Sequence, residues 1–241
     1  MPLFYLRRLT GRERTHAANE QLAHYLAFVA GAANAGGFLA VHQYTSHMTG
    51  VVSAMADNLA LSNVVPILVG FSALMSFLLG ATCTSVTVRW ARRRKLHSEY
   101  ALPLVVEAAL LVLFGLIGHR FQGHTPLGTI MLLCFTMGLQ NAIITKISGA
   151  VIRTTHLTGM VTDIGIALGR LLLAVNDNDS AEGSNNGKKI RLLSSLIGLF
   201  FIGGVTGALG FRHLGFLFTI PLSALLLVLA AMPVIDDARH R

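Results

Sequence analysis

Charge is what this chain has least of. Asp, Glu, Lys and Arg make up 12% of its 241 residues, where soluble domains carry about 25%. Apolar residues account for 53% and mean hydropathy is +0.63, which excludes an ordinary soluble domain. Cysteine is scarce as well. Cys83 and Cys134 both sit inside apolar stretches, so neither a disulfide framework nor a cysteine metal site is expected. Acid is scarcer than base, and the net charge is +8. The basic residues cluster at the ends of apolar runs and form no stripe interleaved with aromatics, which argues against nucleic acid as a partner. The opening segment, "MPLFYLRRLTGRERTHAANE", contains no apolar core of a signal peptide and reads as a basic tail.

What is present is a series of long apolar runs, at 22–41, 64–88, 101–118, 127–144, 190–210 and 214–233. Each is long enough to cross about 30 Å of hydrocarbon as a helix. With the first residues in the cytoplasm and one crossing per run, every Lys and Arg except Arg120 and Arg212, of 19 in all, falls on the inner side. Positive charge retained inside is the rule for membrane orientation. The expected fold is an all-α integral membrane protein of about six transmembrane helices, both termini cytoplasmic. Two further stretches, 51–61 and 160–173, read as half-helices or re-entrant segments. The first reaches only about 17 Å at 1.5 Å per residue. The polar segment 175–189, "NDNDSAEGSNNGKK" and its flanks, reads as a cytoplasmic loop.

One phrase occurs twice. "TSHMTG" at 45–50 returns as "TTHLTG" at 154–159, and each copy precedes one of the short stretches. The match extends to "GAANA" (31–35) against "GLQNA" (138–142), "LVGF" (68–71) against "LIGL" (196–199), and "LPLVVEAALLVLF" (102–114) against "IPLSALLLVLA" (220–230). The expected organisation is a basic tail over 1–21 and two three-helix repeats, 22–121 and 122–241. An odd number of spans inserts the second repeat upside down, the inverted topology of many secondary transporters.

The phrases then reach towards the midplane from opposite sides. Thr49-Gly50 and Thr158-Gly159 are placed to cap short helices, whose N-termini suit an anion or a polar solute. The histidines His47 and His156 lie within the phrases, and Asp57 and Asp163 on the short helices. Glu107 is in the third run, and intramembrane ionisable groups are functional candidates by default. Asn34 and Asn141 add neutral hydrogen-bonding groups. A purely structural role for the phrases, as caps and packing devices, is equally compatible with these residues. A metal site from His42, His47 and His156 is disfavoured, because inversion puts His156 towards the other side. No phosphate loop, nucleophile elbow or carboxylate pair is present, so no enzyme activity and no cofactor are expected.

"NAGGFLAVHQYTSHMTGVVSAMADNLAL" (34–61) and "GLQNAIITKISGAVIRTTHLTGMVTDIGIALGR" (138–170) resemble the YoaK-like family of bacterial multi-pass inner-membrane proteins. The resemblance covers the chain from about residue 20. It departs at Asn34, where many relatives carry Asp, and at Val51, where they carry Asn. It implies a bacterial cytoplasmic membrane and about six helices, and supplies no substrate and no catalytic residues. The expected function is a small permease or channel-like protein that moves a small polar or anionic solute between its repeats, with ion or proton coupling. The alternative is a non-transporting component of an envelope complex. Lipid is the expected surrounding, and the Gly- and Ala-rich spans permit a homodimer.

Overall fold

A computed structural model of the chain describes residues 7, 9–11, 15–41, 43–118, 127–148, 155–174 and 180–239. Helix dominates, with no strand among the described residues. In chain order they are α1 (His16–Val41), α2 (Met48–Ala60), α3 (Val64–Arg93), α4 (Ala101–Gly118), α5 (Leu127–Ile147), α6 (Leu157–Ala174) and α7 (Ser180–Leu214). A 3-10 turn over Gly215–Phe218 leads into α8 (Thr219–Arg239). Four stretches among the described residues are long and apolar enough to cross a membrane: His16–Leu39, Val64–Arg93, Leu127–Ile147 and Asn185–Arg239. The last takes in most of α7 and all of α8, and Ala101–Ile117 is a shorter apolar helix.

Two helices end in the same device. Ser62 after α2 and Lys95 after α3 both take φ of +57°. The next residue reaches back in each case, Asn63 N–H to the Asn58 carbonyl at 2.8 Å and Leu96 N–H to the Ala91 carbonyl at 3.0 Å. This left-handed stop satisfies carbonyls that the helix end would otherwise leave bare.

Small residues set the packing. α1 lies on α7 with backbones in contact: Gly31 abuts the Phe200 carbonyl and Gly203 abuts the Phe28 carbonyl. α5 lies on α3 in the same manner, Gly138 against the Phe77 carbonyl and Gly80 against the Phe135 carbonyl. Thr84 Oγ1 adds a hydrogen bond to the Leu139 carbonyl at 2.9 Å. α1 and α7 run in the same direction, from His24 on Ser195 (2.6 Å) to Gly36 against Phe211. α1 and α5 run in opposite directions. Asn19 meets the Ile147 carbonyl (3.2 Å), Gln140 the Leu26 carbonyl (3.4 Å), and Gly37 lies near Leu133. α4 packs on α8, while α2 and α6 lean on α3 and α7.

One end of the bundle is tied by polar contacts. Arg7 holds Asp236 through two bonds of 2.6 and 2.7 Å, and Thr10 donates to the Leu229 carbonyl at 2.8 Å. Asp237 accepts the backbone N–H groups of His97 and Ser98 at 2.8 and 2.9 Å. Arg92 donates to Glu99 and Tyr100 on the same connection. The start of the chain, the α3–α4 connection and the end of α8 therefore share one end, and the Asn19–Ile147 bond brings the end of α5 there too.

Several expectations need correction. α1 begins at His16, upstream of the apolar run, because polar residues extend a helix into water without loss. Much of the polar segment 175–189 is helix: α7 starts at Ser180 and carries Lys188 and Lys189 on an exposed extension, while 175–179 lie outside the described residues. α6 has 18 residues, about 27 Å, longer than a half-span. The helices α2 and α6 also start inside the phrases. His47, with φ −98° and ψ 70°, is the residue before α2, and its side chain makes no capping bond. Thr49 and Thr158 thus sit within first turns and cap nothing from outside. Finally, the echo of "LVGF" in "LIGL" is not matched in space. Gly70 is packed under Met55, whereas Gly198 has open space beside it. The matching crossings pair Gly80 with Gly203 instead.

Candidate functional site

Both phrases reach a single cavity of about 890 Å³. Its wall takes Asn34 from α1, Tyr44 just before the first phrase, Ser46 through Thr49 within it, and Thr155 through Thr158 from the second. Phe77 and Ala81 of α3, Phe200 of α7, and Gly138, Asn141, Ala142, Thr145 and Lys146 of α5 complete it. Among the described residues, the wall carries no acid.

Corresponding positions of the two phrases make corresponding contacts. Ser46 Oγ donates to Asn34 Oδ1 at 2.9 Å, and Thr155 Oγ1 donates to Asn141 Oδ1 at 2.5 Å. A hydroxyl at the second position thus ties each phrase back onto the helix before it. Each following helix then opens with a bond to the histidine carbonyl, Val51 N–H to His47 at 3.2 Å and Met160 N–H to His156 at 3.1 Å. The histidine rings fold over the glycines. A methyl on Gly50 would lie 2.6 Å from His47 Nδ1, and one on Gly159 would collide with His156 Nδ1. The glycine of the phrase is there to make room for the ring of its own histidine.

Of the residues singled out from the sequence, Asn34, His47, Thr49, Asn141, His156 and Thr158 line this cavity together. Gly50 and Gly159 support it from behind. The three acids lie elsewhere. Asp57 is exposed on α2, and Asp163 pairs with Lys189 at 3.4 Å on a half-exposed surface, where such pairs contribute about 0–1 kcal/mol. Glu107 is 1% exposed inside α4, and its Oε2 has no hydrogen-bond partner. No group of three His, Cys, Asp or Glu able to hold a metal occurs among the described residues, and His42 lies outside them.

Sequence reading missed Tyr44, Ser46, Phe77, Lys146, Thr155 and Phe200. A signal existed for two of them: the residue before each histidine is a hydroxyl, Ser46 in one copy and Thr155 in the other. None existed for Phe77 and Phe200, which enter from α3 and α7 through helix crossings. A second cavity, about 560 Å³, adjoins the first on the α2 side and shares Tyr44 and His47 with it. Tyr44 stacks on Phe38, ring centres 4.7 Å apart. Tyr44 and His47 therefore line both cavities.

Several apolar helices long enough to cross a bilayer are the architecture of a membrane-embedded protein. Residues 22–232 match the family model described as "Protein of unknown function (DUF1275)", and the chain belongs to that family. No curated protein and no solved structure matches it.

Proposed function

We propose that this protein is a small membrane permease or channel-like protein that moves a small polar or anionic solute between two inverted three-helix repeats. The observation that carries the reading is the shared cavity: two copies of one phrase, each tied to its own helix by the same bond, converge on one space. The antiparallel course of α1 and α5 supports inversion, because equivalent helices of inverted repeats must cross the membrane in opposite senses. The gathering of the first residues, the α3–α4 connection and the end of α8 at one end supports six crossings with both termini on one side. The excess of Lys and Arg at that end supports a cytoplasmic placement for it. Irregular backbone such as residues 43–47 is tolerated at membrane depth where it lines a watery cavity. In this reading the cavity serves as a passage.

Reconstitution into liposomes, followed by uptake of a panel of small anions and polar solutes with and without a pH gradient, tests the reading. Saturable flux of at least one solute is expected. Absence of flux throughout, with a stoichiometric partner retained on purification in mild detergent, would favour a non-transporting component of an envelope complex.

A milder perturbation separates stability from passage. Gly159→Ala gains helix propensity of about 1 kcal/mol, and its obstacle is the far end of a movable ring. Its melting temperature in detergent is expected to stay within a few degrees of the parent, while the displaced His156 lowers the flux. Unaltered flux would show that the position of the ring is immaterial.

A further inference from the structure

We propose that the shared cavity binds a small monovalent anion with an apolar body, a short-chain monocarboxylate in chemical class, through hydrogen-bond donors supplied by both phrases. The proposal rests on the permeation reading above and names the class of solute.

The donors follow from the bonds already made. Asn34 is 8% exposed and lines the cavity. Its Oδ1 is occupied by the Ser46 hydroxyl, which leaves its Nδ2 with no partner among the described residues. Asn141 is half-buried, and its Oδ1 is likewise taken by Thr155. An amide N–H at a cavity wall with no protein acceptor is open to one from a ligand, and the cavity holds two such donors. The first turns of α2 and α6 line the same space through Met48, Thr49, Leu157 and Thr158. Helix starts present unpaired N–H groups and a partial positive charge.

Charge fixes the sign. Among the described residues of the wall, Lys146 alone carries a permanent charge, and no carboxylate opposes it. One lysine and two helix starts of about half a charge each make this wall positive and favour an anion. A divalent anion loses far more hydration on entry than a monoanion, and desolvation penalises it accordingly. Shape fixes the rest. Phe77, Ala81, Ala142 and Phe200 form apolar walls, which reward an alkyl body and offer a hydrated inorganic ion nothing.

The test measures binding to the purified full-length protein by titration calorimetry and thermal shift. Sodium acetate, propionate and butyrate are compared with sodium chloride, inorganic phosphate, choline chloride and glycerol. Saturable binding of propionate or butyrate is expected, with phosphate, choline and glycerol inert. Asn141→Asp keeps an acceptor for Thr155 but replaces the donor with a negative charge, and Lys146→Gln removes the fixed cation. Each is expected to weaken carboxylate binding about tenfold or more. Where a variant fails to fold, the panel on the parent protein decides alone.

Binding of glycerol or choline in place of carboxylates overturns the proposal, and so does undiminished affinity in a folded Asn141→Asp. Chloride binding as tight as butyrate overturns the apolar body. Carboxylate binding without flux sustains the site and defeats the permease. Flux of a neutral solute without carboxylate binding does the reverse.

Discussion

Gly31→Val and Gly138→Val are each expected to remove most of the folded protein. At these positions the helix backbones touch: Gly31 meets the Phe200 carbonyl and Gly138 the Phe77 carbonyl, with Gly203 and Gly80 returning the contact one turn away. No side chain can swing aside, since the obstacle is the main chain of the neighbouring helix. Valine must therefore force α1 from α7, or α5 from α3. Overpacking in a core costs about 1–3 kcal/mol and sometimes more, and a separated helix pair also loses contacts along its length. Against a total stability of about 5–15 kcal/mol, that is enough to deplete the native state. Gly198→Val is the control, because open space lies beside that residue. Yield and melting temperature in detergent, read by size-exclusion chromatography, give the comparison. A Gly31→Val protein as stable as Gly198→Val would mean that the close crossing is not maintained in the membrane.

The second large effect concerns access. With Cys83 and Cys134 replaced, a single cysteine at position 47 or 156 is expected to lose all flux once a bulky maleimide is attached. In a protein carrying both, an adduct at one position is expected to protect the other. Both positions face one space of about 890 Å³, within the range that a single drug-sized ligand fills. Distant, independent sites would label independently and would leave flux intact at one of them. Mass spectrometry of the labelled protein counts the adducts. Two adducts per chain at full reaction would separate the phrases into different compartments and remove the basis for a common pathway.

Much of this architecture is legible in the amino-acid sequence. The boundaries of α4 coincide with its apolar run, and those of α3 and α5 differ only where the chain continues past it. Hydropathy reports where a helix must be buried, not where it stops, so the polar extensions of α1 and α7 escaped notice. The pairing of the two phrases was visible as a repeated string, and so were Asn34 and Asn141. Lys146 was not, because a lysine at a helix end reads as an orientation signal. The acids were misleading for a related reason. An acidic residue in an apolar stretch draws attention, yet Asp57 faces outward and Asp163 is paired with Lys189, while the described cavity wall holds hydroxyls, amides, histidines and Lys146. Register between helices separated in sequence leaves no local trace. The "LVGF" echo was therefore aligned to the wrong glycine, and Phe77 and Phe200 went unseen.

The length of α3 carries a consequence for the surrounding lipid. Its 30 residues extend about 45 Å, well beyond a hydrocarbon layer of about 30 Å. The surplus ends in Arg89, Trp90, Arg92 and Arg93, with Arg94 over the Trp90 ring at 5.7 Å, side chains suited to the headgroup region. With its charged end anchored there, the apolar part has to lean or the layer has to thicken. α3 also contributes Phe77 and Ala81 to the cavity wall. Its inclination and the width of the cavity are thus mechanically linked, and bilayer thickness becomes a variable that acts on the cavity.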